Sequence, residues 1–507
     1  MLADDILSRS AADIIALYRS KRISPVEVLT ATLDRIDRLD RLYNAFVMVD
    51  REGALHDAQG SEERWRRGEP NGLVDGLPVT VKDLILVKGM PTRRGSHTTS
   101  PLPSEEDGPP VARMRQHGAV FLGKTTTSEF GWKAVTDSPL TGVTRNPWDA
   151  RFTSGGSSGG AGVAAALGLG ILHLGTDGGG SIRVPASFCG VFGFKPTFGV
   201  VSVHPHSPAL TLWHQGPLTR TVSDAALMLT VMAGPDIRDW YAGPELSIDY
   251  RNGLGEGVQE LRVAYSRTLG YAKPDPSVVS LVDKAVEDLA CLGAHVEEID
   301  PGLDDPIEIM RPLWSVGLAL GVAAMSRDHR VLIDPPLLDL AEPGFRLTAL
   351  DYRHLEQARE NFGRRMAMLH AKYDLLITPQ LPIAAFAAGH EVPPESRMER
   401  WWEWSPFTYP FNLTQQPAAA VPCGFTTSGL PVSMQIVGAK YSDALVLRAA
   451  YAYETAHPFA VPSVNKQTQI RSSSRDAARS ASLVIARGQH DGATKNFNAC
   501  AEIGRSK

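Results

Sequence analysis

Two glycine-rich turns carry the residues of this chain best suited to chemistry. Thr-Ser-Gly-Gly-Ser-Ser-Gly-Gly spans 153–160, and Gly-Thr-Asp-Gly-Gly-Gly-Ser-Ile-Arg-Val-Pro-Ala-Ser spans 175–187. Both lie in the stretch 151–200, which holds 14 of the 46 glycines. Glycine permits positive φ and lets several backbone N–H groups crowd around one point. Phosphate binding and oxyanion stabilisation both use such a cradle. A phosphate loop wants a Lys-Ser/Thr pair after its last glycine, and here Ala161 or Ile182 follows instead. Ser181, directly after three glycines, is placed like a nucleophile whose own turn could hold a developing oxyanion.

Such a hydroxyl needs a base within hydrogen-bond reach. His173 and His204 show no turn chemistry that would aim them at Ser181. Lys82, in Pro-Val-Thr-Val-Lys-Asp-Leu-Ile-Leu-Val (78–87), is the alternative. A lysine inside an apolar strand is costly unless it is paired or neutral. Neutral, it is a base; paired with Asp83, it is scaffold. The residues alone leave both open.

The elements that must position these groups read as an α/β chain. Ser10 with Asp13 caps a first helix. Ser24, Pro25 and Glu27 open a second, whose apolar Val28, Leu29, Leu33 and Ile36 recur at helical spacing. Strands are expected at 77–81, 119–122 and 171–174, with a helix at 111–117 and an Ala-rich helix after Ser157. This alternation favours a mostly parallel sheet covered by helices. From 236 to 375, strands at 261–265 and 295–299 and a helix at 276–292 read as an insertion or lid. Returning core strands are expected at 374–378, 418–422 and 432–437, then a helix at 442–454. Residues 464–507 carry eight Lys or Arg against three Asp or Glu with few large apolar residues, and read as a disordered tail.

At this point the motif words resemble the amidase-signature family. They are Gly-Leu-Pro-Val-Thr-Val-Lys-Asp, Gly-Gly-Ser-Ser-Gly-Gly and Gly-Thr-Asp-Gly-Gly-Gly-Ser-Ile-Arg, with steps of 75 residues from Lys82 to Ser157 and 24 from Ser157 to Ser181. Supporting stretches are Gly123-Lys124-Thr125, Thr144-Arg145-Asn146-Pro147-Trp148, Cys189 to Thr197, and Gly216 to Thr221. The resemblance implies a single domain, about 1–460, with a central mixed β-sheet covered by helices. Its core is about 73–235 and 374–460, and its lid or insertion about 236–373. It implies amide hydrolysis by a Ser-cisSer-Lys triad: Ser181 as nucleophile, Ser157 beside a cis peptide as proton relay, and Lys82 as neutral base. Backbone N–H groups of Gly178, Gly179, Gly180 and Ser181 would form the oxyanion hole. Ser158, Thr176, Asp177 and Arg183 would support the turns, the last two by hydrogen bonds rather than by touching substrate. Neither a metal nor a cofactor is implied.

The chain departs from the tRNA-dependent amidotransferase branch of the family, represented by that enzyme's amidase component. After Pro196-Thr197 it runs Phe-Gly-Val-Val-Ser-Val-His-Pro-His-Ser-Pro, then Leu-Trp-His-Gln-Gly-Pro at 212–217. Gly178 also stands where a larger residue is common. These features resemble stand-alone bacterial amidases acting on aryl or apolar amides. The amidotransferase component, or a carbamate- or ester-cleaving member of the family, is the runner-up. Trp401, Trp402, Trp404, Phe407, Tyr409 and Phe411 are either a core plug or a pocket wall. Trp132, Trp213, Trp404 and Tyr409 are the expected pocket residues, because apolar walls with few polar anchors suit such ligands.

Composition narrows the partners. The 507 residues are 43% hydrophobic with a formal net charge of −5, which argues against a general nucleic-acid or anionic-membrane binder. The longest nearly apolar stretch, Ala161 to Leu172, is too short and glycine-rich to span a membrane. The acidic start does not read as a secretory leader. Cys189, Cys291, Cys423 and Cys500 form no CxxC pair, so free thiols in a reducing cytoplasm are expected, inert at Cys189 and Cys423. A small-molecule amide and water are the expected partners, and a homodimer is compatible.

Overall fold

The helices begin where the capping chemistry places them. In the computed structural model, which describes residues 3–463, Ser10 and Ser24 each close a capping box. Helices Ala11–Arg19 and Pro25–Tyr43 follow and bury Ile14, Leu17, Val28, Leu29 and Ile36. Thirteen strands are present among the described residues. They are β1 (Phe46–Val49), β2 (Pro78–Lys82), β3 (Val120–Thr125), β4 (Asp137–Ser138), β5 (Gly142–Val143), β6 (Leu172–Asp177), β7 (Phe192–Lys195), β8 (His214–Thr219), β9 (Arg262–Tyr265), β10 (His295–Glu298), β11 (Leu375–Pro379), β12 (Ala418–Phe425) and β13 (Pro431–Gly438). Eleven form one sheet in the order β1-β3-β2-β6-β8-β7-β12-β13-β11-β9-β10, while β4 and β5 make a separate hairpin.

The sheet is mixed. Strands β3, β2 and β6 run parallel, as do β11, β9 and β10. The centre, from β6 through β8, β7, β12 and β13 to β11, is antiparallel. Reading alternation along the chain predicts mostly parallel pairing because it misses β7 and β8. Their Gly- and Pro-containing sequences, Phe-Gly-Phe-Lys and His-Gln-Gly-Pro-Leu-Thr, lack the β-branched runs that mark a strand.

The pleat divides the core into two faces. Leu375, Ile377, Ala419, Val421 and Ile436 join one apolar cluster with Val79 and Val81. Their neighbours Leu376, Ala418 and Val437 join the other, with Trp132, Trp314, Trp401 and Trp404. The segment 236–373 contributes to both. Strands β9 and β10 extend the central sheet, and Pro276–Cys291 packs on the first face. Helices Ile307–Ala323, Pro335–Ala341 and Ala349–His370 contribute Met310, Trp314, Leu337, Phe362 and Met366 to the second. The stretch 464–507, read as a tail, lies outside the described residues.

Close strand approach at the centre demands glycine. Gly216 on β8 pairs with Gly175 on β6, and a Cβ at Gly216 would lie 2.2 Å from the Phe194 carbonyl oxygen. Gly216→Ala is therefore expected to cost about 1–3 kcal/mol of stability, as overpacking does. Urea unfolding checks it, and an unchanged midpoint would contradict this account of the sheet centre.

Candidate active site

Alternation along β2 buries Val79 and Val81 in the first core and turns Lys82 to the opposite face, at the carboxyl end of the strand. The adjacent β6 is parallel, with Val81 opposite Leu174, so Lys82 arrives beside Thr176. The chain then brings in Ser157 and Ser158 at the start of helix Gly159–Leu167. Lys82 Nζ lies 2.7 Å from Ser157 Oγ, 2.9 Å from Ser158 Oγ and 2.8 Å from Thr176 Oγ1. The Gly156–Ser157 peptide is cis.

No carboxylate comes within ion-pair distance of Lys82 among the described residues. Asp83, the alternative partner, faces away. Its Oδ1 lies 3.2 Å from Lys124 Nζ and accepts the Arg93 N–H at 3.1 Å. The salt-bridge reading of Lys82 is therefore set aside, because successive residues at a strand end point to opposite sides. Burial pushes the Lys82 ammonium well below the ordinary lysine range, against the pull of Asp177. Lys82, Ser157, Ser158 and Thr176 are fully buried, whereas Ser181 keeps 7% of its surface exposed. Ser181 is thus the member of this group that solvent or substrate can reach. The Ser158 N–H donates to the Ser181 carbonyl at 3.1 Å and joins the two turns.

Asp177, the last residue of β6, organises the nucleophile turn. Its carboxylate accepts the N–H groups of Gly180 (2.7 Å) and Ile182 (3.2 Å) and the amide of Asn412 (2.9 Å). It also takes a two-point contact from Arg183, Nε at 3.0 Å and Nη2 at 2.9 Å. Arg183 donates further to the Thr408 carbonyl, Gln435 Oε1 and Asn412 Oδ1. Burial raises the Asp177 pKa, but Arg183, Lys195 and Asn412 together hold it below the usual carboxylate range.

One expected oxyanion donor is lost to this network. The Gly179–Gly180 peptide is occupied at both ends: its carbonyl accepts the Thr408 hydroxyl at 2.5 Å, and its N–H donates to Asp177. Gly180 is corrected from the oxyanion set accordingly. The N–H groups of Gly178, Gly179 and Ser181 are not engaged in this way. The glycines are needed for approach as well as for turning. A Cβ on Gly178 would lie 3.0 Å from Trp314, and one on Gly179 2.7 Å from Trp401.

A cavity of about 560 Å³ borders these turns, lined in part by Leu84, Phe130, Trp213 and Trp314. A Cβ on Gly131 would lie 3.2 Å from Ser157 Oγ and 3.5 Å from Trp213, which places that wall beside the serine. Of the four expected pocket residues, only Trp213 lines this cavity. Trp132 is fully buried and donates to Asp334. Trp404 stacks on Phe188 and meets Phe386 edge-on, and the Tyr409 hydroxyl donates to Asp305. These three are core and scaffold, since their polar atoms are satisfied by the protein and their rings by other rings. Sequence reasoning missed Trp314, Thr408, Asn412 and Gln435, which come from distant elements with no local motif. Cys189 is buried with its thiol pushed well up, and burial takes Cys423 up to about 12. His173, with Nδ1 2.9 Å from Thr80 Oγ1, is pushed down to about 3 by burial.

The family model described as Amidase matches residues 27–447. The chain belongs to the amidase family. It is an enzyme of the amide-hydrolase class. An acylamidase of Rhodococcus erythropolis is 37% identical over 89% of this chain and 96% of its own length. The amidase component of the glutamyl-tRNA(Gln) amidotransferase of Gloeobacter violaceus is 35% identical over 86% and 94%. Among solved structures, a bacterial aryl acylamidase of the amidase-signature family superposes with a TM-score of 0.83, at 29% identity over 89% of this chain and 96% of that one. The mixed sheet and its covering helices match that structure.

The Asp177–Arg183 pair is wholly buried, so removing one partner strands the other. Asp177→Asn is expected to lower stability by about 3–5 kcal/mol. Urea unfolding measures it, and a loss under about 1 kcal/mol would show that the pair does not hold the turn.

Proposed function

We propose that the chain hydrolyses amides through an acyl-enzyme on Ser181, with Ser157 as proton relay and Lys82 as base. The observation that carries this is the Lys82 amine, buried without a counter-ion 2.7 Å from Ser157 Oγ. Ser181 Oγ attacks the carbonyl carbon and passes its proton to Ser157, whose own proton goes to Lys82. The N–H groups of Gly178, Gly179 and Ser181 receive the oxyanion. As the tetrahedral intermediate collapses, the proton returns through Ser157 to the leaving nitrogen, because an amide cannot readily expel an unprotonated amine. Water then adds to the acyl ester by the same relay in reverse and frees the acid and Ser181.

The substrate class follows from the wall. Trp213 and Trp314 flank Gly178 at the turn, and flat apolar surfaces favour an aryl or hydrophobic group on a small amide. The acylamidase and aryl acylamidase relatives support this choice. The enzyme is read as acting without nucleic acid, in keeping with its net charge of −5. Free Cys189, Cys291 and Cys423 favour a reducing cytoplasm. Among the described residues no helix is long and apolar enough to cross a membrane.

Ser181→Ala is expected to retain less than about a hundredth of wild-type turnover and to lose labelling by a fluorophosphonate. Retained labelling would move the nucleophile elsewhere.

Lys82 makes a sharper test. The unfolded chain, with an ordinary lysine near about 10.4, binds more protons than the folded one between the lowered folded value and that point. Stability from this group therefore rises with pH across that window. The rate moves the same way, falling as pH drops through the lowered value and the amine gains a proton. Lys82→Arg keeps the charge but cannot give up a proton at accessible pH, so it should be nearly as inactive as Lys82→Ala. Near-wild-type turnover of Lys82→Arg at pH 7 would refute the base assignment.

A further inference from the structure

The cavity beside Trp213 and Trp314 is positively charged. Its wall includes Arg94, His204, His206 and His329, and no Asp or Glu. Two of the histidines have acidic neighbours outside the wall: His206 Nε2 lies 2.8 Å from Asp239, and His204 Nε2 3.5 Å from Glu106. Arg94 has no such partner. Among the described residues its guanidinium makes neither a hydrogen bond nor an ion pair. The acidic group whose charge reaches it, Asp83, is already paired with Lys124 at 3.2 Å.

The backbone holds Arg94 in place. Its φ is +51°, in the left-handed region that non-glycine residues seldom occupy. Its N–H donates to the Asp83 carbonyl at 3.0 Å, and its own carbonyl accepts the Phe130 N–H at 2.8 Å. The segments that carry Lys82–Asp83 and Phe130 thus pin Arg94 between them. Gln215 adds a second unsatisfied group on the same wall. It is 4% exposed, its Oε1 is buried without a partner, and it lies opposite Thr176 in the sheet. Which end of that amide faces the cavity depends on what it meets there.

We propose that Arg94 anchors a carboxylate carried by the substrate, so that the enzyme prefers amides joining an aryl or apolar body to an anionic group over neutral amides of the same size. A guanidinium binds a carboxylate through two parallel N–H···O bonds, and the Gln215 amide can supply one more. A neutral group in that place would leave a partly desolvated cation without an acceptor. The inference rests on amide hydrolysis at Ser181 as proposed above.

The test compares matched aryl amides that end either in a carboxylate or in a hydroxymethyl group. The wild type is expected to favour the carboxylate member by roughly 10- to 100-fold in kcat/KM, mostly through KM. In Arg94→Ala that ratio should collapse toward one, and Arg94→Lys should keep part of it. Because each ratio comes from a single protein preparation, a general loss of activity cancels. A wild-type ratio near one overturns the proposal, even where Arg94→Ala fails to fold. So does a preference that survives in Arg94→Ala, the result expected if Arg94 serves only to neutralise Asp83. Fluorophosphonate labelling separates the two levels: a labelled enzyme without carboxylate preference overturns the anchor alone, and an unlabelled one overturns hydrolysis at Ser181.

Discussion

Asp177 carries the acidic charge that reaches Lys82, and left unpaired it would favour a proton on the amine. The protein keeps this carboxylate because five donors of the nucleophile turn and its surroundings converge on it. Arg183 resolves the conflict by placing a permanent cation against Asp177, with which it makes a neutral pair. What remains around Lys82 is a cage of three hydroxyls, which solvate an amine without fixing its charge. Burial then tips the lysine toward the neutral form. The buried ion pair thus sets both the shape of the turn and the proton affinity next to it.

The rest of the architecture serves that arrangement. Strands β2 and β6 end side by side, so a lysine and a threonine from one sheet face meet two serines delivered by a glycine turn. Thr408, Asn412 and Gln435 reach the same network from the far end of the chain. This explains why a site assembled from local motifs needs more than four hundred residues around it. It also explains the division of labour within three glycines, where one peptide is fixed at both ends by Thr408 and Asp177 and its neighbours remain for chemistry.

Chemistry was more legible in the sequence than packing. Ser10, Ser24 and Pro25 announce their helices because capping is a local event. Strands rich in Val, Leu and Ile, such as β2, β11 and β13, are visible for a similar reason. Strands β7 and β8 are not, since the glycines that let them approach erase the strand signal. Lys82 illustrates the limit within the site. Its sequence neighbour Asp83 suggests an ion pair, and only the pleat sends one toward Ser157 and the other toward Lys124. The aromatic cluster at 401–411 misled for the opposite reason. Trp404 and Tyr409 have pocket-wall composition but core position, and composition carries no direction. Trp314 does form the wall, from a helix whose sequence resembles any buried helix.

Charge is partitioned between the two halves of the site in a way that links recognition to catalysis. Around Lys82 the acid and base groups cancel, while the cavity wall holds an unmatched cation at Arg94. A carboxylate entering this low-dielectric space without a partner would act on Lys82 as Asp177 would without Arg183, stabilising the ammonium and removing the base. Paired with Arg94, the same carboxylate presents little net charge to the amine. The two arginines then play equivalent parts, one for the protein's own carboxylate and one for the substrate's. A substrate charge is thereby admitted without protonating the group that must accept the serine proton.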